Sequence, residues 1–199
     1  MTTNRLEAFS DGVLAIIITI MVLGISTPEG VHFDAIRLLG PELINYLLSF
    51  IYVGIYWANH HHLLYALPMV KGHILWANLH WLFWMSLIPV TTAWTGTNPF
   101  AVVPAVTYGA VLLMCAVSYF ILQNQVLTQC GPDSPLAKAI GNDMKGKIST
   151  VAYVVGMVGA FVHPAIAFVC FVGVAIMWIV PDKRIEQAMA LETAQTTAE

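Results

Sequence analysis

The chain begins with polar side chains placed inside a long apolar segment. Arg5, Ser10 and Asp11 precede the apolar run GVLAIIITIMVL at 12–23. A helix that started after Asp11 would rise about 21 Å by residue 25, short of the roughly 30 Å bilayer core. A helix from near Asn4 rises about 33 Å and places Asp11 about 10 Å inside. An ionisable group at that depth must face protein or water, so we predict a polar layer around Asp11.

Partners for Asp11 must lie at the same depth in neighbouring helices. His60 lies about 7 Å before the end of the predicted second span, and Asn78 lies about 10 Å into the predicted third span. The indole N–H groups of Trp57 and Trp81, one turn from these residues, could close the same layer. Either His60 or its neighbour His61 could contact Asp11, and the spacing does not choose between them.

The sequence NHHH at 59–62 also raises the possibility of a metal site, because neutral imidazole is a common metal ligand. Consecutive helical residues point about 100° apart, so one helix cannot direct three histidines at one ion. His73 and His80 could join them, but no His-Glu-x-x-His motif or cysteine pair is present. We expect no resident metal or cofactor. The alternative is that the chain is a histidine-based membrane metal-binding protein or transporter.

Composition indicates an all-α integral membrane protein. Of the 199 residues 58% are hydrophobic and only 10% are charged, with a mean hydropathy of +0.76. The absence of a basic stripe argues against a nucleic-acid partner. The sequence has no nucleophile and base at usable spacing, no phosphate-binding loop and no paired carboxylates, so we do not expect an enzyme.

Apolar runs predict a single membrane domain over 1–199. Its six transmembrane helices are placed at about 4–25, 41–65, 73–96, 100–124, 147–162 and 165–180, and a polar cytoplasmic tail at about 182–199. Both termini then lie on one side together with seven of the eight Lys and Arg residues, and only Arg37 lies on the other. This bias predicts a multi-pass protein of the cell (inner) membrane with cytoplasmic termini.

One stripe of the first helix carries Gly12, Ile16, Thr19, Ile20 and Leu23, whereas Asp11 points roughly opposite Ile16. Periodicity alone favours ordinary helix packing or lipid contact for this stripe. The pattern of the first helix does not recur later in the chain. Symmetric self-association would be needed to supply further copies.

The sequence resembles the endosomal and lysosomal potassium channel family, transmembrane protein 175, and its prokaryotic relatives. The resemblance lies in RLEAFSD at 5–11 and GVLAIIIT at 12–19 of the first helix. It continues in WANHHHL at 57–63, NLHWL at 78–82 and PVTTA at 89–93. These motifs cover the first three predicted helices, and the remaining helices match only in number and hydropathy.

The resemblance implies a homotetramer in the lipid bilayer, with the first helix of each subunit lining a central pore. The narrowest hydrophobic ring would correspond to Ile16, with Ile20 and Leu23 further along and Thr19 beside them. The polar motif would anchor the pore helix within its own subunit. The expected structural network then comprises Arg5, Ser10, Asp11, Trp57, His60, His61, Asn78 and Trp81.

The implied function is a leak-like, potassium-permeable cation channel in which the potassium ion is the permeant species. A hydrophobic constriction would gate by dewetting, because the sequence has no Thr-Val-Gly-Tyr-Gly carbonyl filter. Proton permeation is a second property that the resemblance implies. A noncatalytic assembly protein is a further alternative, which an absence of ion flux would favour.

Overall fold

The computed structural model describes residues 1–28, 30–67, 69–141 and 143–179, and their regular elements are all α-helices. This confirms the all-α class. The elements, labelled in chain order, are α1 (Thr3–Leu23), α2 (Phe33–Leu38), α3 (Gly40–Tyr65), α4 (Gly72–Met85), α5 (Ile88–Thr97), α6 (Val102–Cys130), α7 (Pro135–Ile140), α8 (Met144–Ala160) and α9 (Pro164–Ile179). The predicted tail at 182–199 lies outside the described residues.

Several helices are long and apolar enough to cross a membrane. Within the described residues, length and composition identify three such segments: α1, the run Gly72–Thr97 formed by α4 and α5, and α6. Helix α9 is also apolar but shorter. The structure therefore has the helices that a multi-pass membrane protein requires.

The predicted third span at 73–96 is interrupted. Helix α4 ends at Met85 and α5 begins at Ile88, with Pro89 at its second position. Proline has no N–H to donate and its ring clashes with the preceding turn, which explains the break. In the first turn of α5, the Thr91 and Thr92 hydroxyls both donate to the Ile88 carbonyl.

The loops contain two short helices that the hydropathy pattern did not predict, α2 and α7. Helix α6 also continues to Cys130 rather than ending near 124. Capping side chains explain where α7 and α8 begin. The Ser134 hydroxyl accepts the Ala137 N–H of α7, and the Asp143 carboxylate accepts the Gly146 N–H of α8. Capping satisfies N–H groups that a helix start leaves without partners.

Two apolar clusters hold the helices together. The first surrounds buried Trp81 and joins α1, α3, α4, α5 and α6. The second surrounds Tyr52 and Phe171 and joins α3, α6, α8 and α9. The Tyr52 hydroxyl donates to the Phe171 carbonyl at 2.6 Å, so a polar contact links α3 to α9 inside the second cluster.

Helix α1 is attached at both ends. At its start, the Thr3 hydroxyl donates to the Leu67 carbonyl at 2.7 Å, and the Val70 N–H donates to the Met1 carbonyl. Just past its end, Gly24 lies so close to α5 that an added Cβ would be 3.0 Å from the Ala93 Cβ. A glycine is needed there for the close approach of α1 to α5.

This close approach predicts opposite effects for two glycine substitutions. Gly24→Ala should lower the thermal unfolding temperature in detergent, because its methyl would press against Ala93. Gly173→Ala on α9 meets open space and should raise stability by roughly 0.5–1 kcal/mol through helix propensity. Equal shifts for the two variants would contradict the close contact at Gly24.

Candidate functional site

Helix α1 has one buried face and one exposed face. Leu6, Ser10, Leu14, Ile17 and Met21 are buried against the rest of the chain. On the other side, Ile16, Ile20 and Leu23 are 57%, 51% and 81% exposed. An apolar surface of this kind has its partner outside its own chain, in lipid, in a pore or in another subunit.

Thr19 places a polar group on the exposed stripe of Ile16, Ile20 and Leu23. Its hydroxyl donates to the Ile16 carbonyl of its own helix at 2.9 Å. The hydroxyl hydrogen is therefore used within the helix, and the oxygen keeps lone pairs that can face outward. An oxygen of this type can replace part of the hydration shell of a passing cation.

A buried polar network fixes the opposite face of α1. The Asn78 amide nitrogen of α4 donates to the Ser10 hydroxyl oxygen at 3.0 Å, and the Asn78 amide oxygen lies 2.7 Å from His60 Nε2 of α3. The Ser10 hydroxyl in turn donates to the Leu6 carbonyl at 2.9 Å. Ser10, His60 and Asn78 each have 0% exposure, so the network is fully enclosed by the chain.

The His60 ring is positioned by stacking as well as by Asn78. It lies on the indole of Trp81 with 4.7 Å between ring centroids and 16° between planes. Trp81 was predicted as an indole donor to the polar layer. Within the described residues, however, its Nε1 has no hydrogen-bond partner, nor has His60 Nδ1. The structure thus places Trp81 beside the network, where it contacts the imidazole face.

Asp11 lies outside the enclosed network and pairs with a tryptophan. The Trp57 indole N–H donates to Asp11 Oδ1 at 3.0 Å, whereas His60 bonds to Asn78. His61 Nδ1 forms a hydrogen bond with Glu7 Oε1, and the pair is ionic when His61 is protonated. Neither histidine is hydrogen-bonded to Asp11, which answers the question that the spacing had left open.

Glu7 also takes part in the contact between α1 and α3, which the sequence patterns did not predict. It precedes Asp11 by four residues on α1, just as Trp57 precedes His61 by four residues on α3. Residues four apart share a helix face, so the Glu7–His61 and Asp11–Trp57 contacts form two successive rungs between antiparallel helices. The four-residue spacing of Glu7 and Asp11 is the sequence feature that indicates a shared helix face, and hence a second contact with α3.

Arg5 is exposed, and within the part of the chain that the structure describes it has no side-chain hydrogen bond or ion pair. Its inclusion in the anchoring network stays a prediction. The histidines give no geometric support to the metal alternative, because no group of three or more potential ligands comes together among the described residues. His80 Nε2 instead accepts the indole N–H of Trp84.

The enclosed network predicts energetic coupling between α1 and α4. In a double-mutant cycle, Ser10→Ala and Asn78→Leu should be non-additive by about 0.6–1.7 kcal/mol, the range for hydrogen bonds between membrane helices. Ser149→Ala combined with Asn78→Leu provides the control cycle, because Ser149 is also buried but bonds to the Lys145 carbonyl and the Trp178 indole N–H rather than to α4. Thermal unfolding of the purified protein measures both cycles. Additive effects for Ser10 and Asn78 would contradict the network.

Comparison with known proteins places this geometry in a family. The family model for the endosomal/lysosomal potassium channel TMEM175 matches residues 5–89. A potassium channel of Chryseobacterium sp. (strain P1-3) is 51% identical over 189 residues, covering 95% of this chain and 98% of that protein. The endosomal/lysosomal proton channel TMEM175 of Rattus norvegicus is 30% identical over 132 residues, 60% of this chain but 26% of the relative.

A solved structure has the same fold. It is the crystal structure of a lysosomal potassium-selective channel TMEM175 homolog from Chamaesiphon minutus, with a TM-score of 0.77 and 25% identity. The match covers 90% of this chain and 97% of the other. The family and the apolar helices together identify a multi-pass membrane protein. The chain belongs to the TMEM175 family of ion channels, as a prokaryotic member.

Proposed function

We propose that the chain is one subunit of a potassium-permeable, leak-like cation channel whose pore is lined by α1. The observation that carries the proposal is the exposed stripe of Ile16, Ile20 and Leu23 opposite a face fixed by the Ser10–Asn78–His60 network. The Chryseobacterium relative, which this chain matches over nearly its whole length, is named a potassium channel. Membership of an ion-channel family agrees with the prediction that the chain is not an enzyme.

A central pore needs several copies of α1, and each chain supplies one. A homotetramer with a four-fold axis would bring equivalent stripes together around one pathway. Ile16 would then form a ring of branched apolar side chains. Such a ring can close a pore without a moving lid, because water leaves a narrow apolar passage spontaneously.

Selectivity in this arrangement comes from the cost of removing water from the ion. The sequence has no Thr-Val-Gly-Tyr-Gly segment, so a ring of backbone carbonyls like that of classical potassium channels is absent. Thr19 lies one residue before Ile20 on the stripe, and its outward oxygen offsets part of the dehydration cost. Potassium holds its hydration shell less tightly than sodium, which favours its passage through an apolar constriction.

Acidic residues near the start of α1 would favour cations at one entrance. Glu7 and Asp11 lie between α1 and α3, where they contact His61 and Trp57. Repeated around a symmetry axis, their negative charge raises the local concentration of cations. Protons are a second candidate permeant, supported by the name of the rat relative.

Six crossings of the inner membrane complete the proposed topology: α1, α3, α4 with α5, α6, α8 and α9. The N-terminus, the α3–α4 loop and the α6–α8 connection then share one side with Arg5, Lys71, Lys138, Lys145 and Lys147. Arg37 lies on the opposite side. Lys and Arg concentrate in cytoplasmic segments, so both termini are assigned to the cytoplasm.

The test is the reversal potential of the purified protein in planar bilayers under opposed potassium and sodium gradients. Wild type should reverse toward the potassium potential. Ile16→Asn should weaken that preference and raise conductance about ten-fold, the effect of lowering a barrier by about 1.4 kcal/mol, because a polar ring stays hydrated.

Val22→Asn is the matched control, since Val22 is also exposed on α1, at 46%, but lies off the stripe. It should leave both the reversal potential and the conductance near their wild-type values. No current from wild type would contradict the channel assignment. Equal changes in the two variants would contradict the placement of the stripe in the pore.

A further inference from the structure

A groove on another face of the subunit has no part in the proposed pore. It lies between α3, α6, α8 and the end of α9, and α1 contributes no residue to it. Its cavity has a volume of about 430 Å³. Aromatic side chains dominate its wall, including Tyr52, Tyr56, Phe120, Tyr153 and Trp178.

The lining of this groove changes from apolar to polar along its length. Ala116 and Tyr52 form the deep end, whereas Gln123, Asp143 and Lys147 form the other end. Along α6 the distance from Ala116 to Gln123 is about 10 Å at 1.5 Å per residue, most of one leaflet of a bilayer core about 30 Å thick. The polar end is on the side of the N-terminus, because α3 and α6 end there and α8 begins there.

The charged side chains described at this polar end are two lysines and one aspartate. Lys145 and Lys147 are in the first turn of α8, and Lys145 Nζ lies 5.6 Å from the Trp178 ring centroid. Asp143 is engaged locally, accepting the Gly146 N–H at 3.1 Å and the Gln123 amide at 3.4 Å.

We propose that this groove binds an anionic phospholipid from the leaflet on the side of the N-terminus. One acyl chain occupies the aromatic wall between α3, α6 and α8, and the phosphate lies against the lysines at the start of α8. The gradient from an apolar deep end to a cationic rim matches the order of groups in such a lipid. Contact with a second copy of the chain would not require an apolar deep end followed by a cationic rim. A lipid is therefore the favoured occupant.

The proposal is tested by photo-crosslinking on the full chain in nanodiscs of phosphatidylcholine. A trace of phosphatidylglycerol with a diazirine on its acyl chain should label peptides from 116–123 and 143–153. Unlabelled phosphatidylglycerol should compete, and phosphatidylcholine should not. The readout is lipid binding, so it does not depend on whether the protein conducts ions.

Matched charge variants separate a defined headgroup site from general attraction to the surface. Lys147→Gln should weaken competition by phosphatidylglycerol about five-fold, the effect of one lysine near an anionic lipid surface. Lys138→Gln removes the same charge from an exposed position of α7, outside the groove, and should have no such effect. Equal losses in both variants would overturn the headgroup site.

A filled groove completes the test. Ala116→Phe should abolish labelling of both peptides, and Val117→Phe serves if the first variant does not fold, as judged by its thermal unfolding. Labelling that persists in a folded, filled variant would overturn the proposal. Equal labelling by a phosphatidylcholine probe would also overturn it. The same holds if wild type is not labelled because a neighbouring subunit covers the groove.

Discussion

The arrangement of α1 depends on one side-chain amide. Asn78 of α4 donates to Ser10 of α1 and accepts the Nε2–H of His60 on α3, all without exposure to solvent. Water is not available inside a bilayer to replace a lost partner, so each group depends on the other two. Residues of a helix are related by fixed rotations. Burying Ser10 therefore determines the direction of Ile16, Ile20 and Leu23.

The polar groups at this end of the subunit are sorted by charge. Neutral Ser10 and Asn78 lie in the enclosed centre with His60, whereas the acids Glu7 and Asp11 lie at the margin between α1 and α3. Burying a carboxylate costs far more than burying an amide that has its hydrogen bonds. The structure thus holds α1 with neutral groups and leaves the two carboxylates at the margin of the subunit core.

Sequence patterns indicated the depth of these residues along their helices, but not the direction in which each side chain points. Hydropathy and depth placed His60 and Asn78 at the level of the first-helix polar groups, and in the structure Asn78 bonds to Ser10 while His60 bonds to Asn78. Depth does not specify rotation about a helix axis, which is decided by packing. For that reason the partner of Asp11, the role of Trp81 and the participation of Glu7 became clear only from the structure. The break before Pro89 was readable from proline chemistry, but the apolar pattern across it suggested one continuous span.

Thiol accessibility would show whether the exposed stripe of α1 faces an aqueous pore. In a chain with Cys115, Cys130 and Cys170 replaced, Ile16→Cys and Val22→Cys would each be exposed to a charged methanethiosulfonate reagent during current recording. We expect rapid and lasting block for Ile16→Cys and unchanged current for Val22→Cys. Unchanged current in Ile16→Cys, with modification confirmed by mass spectrometry, would contradict the assignment of this stripe to the pore.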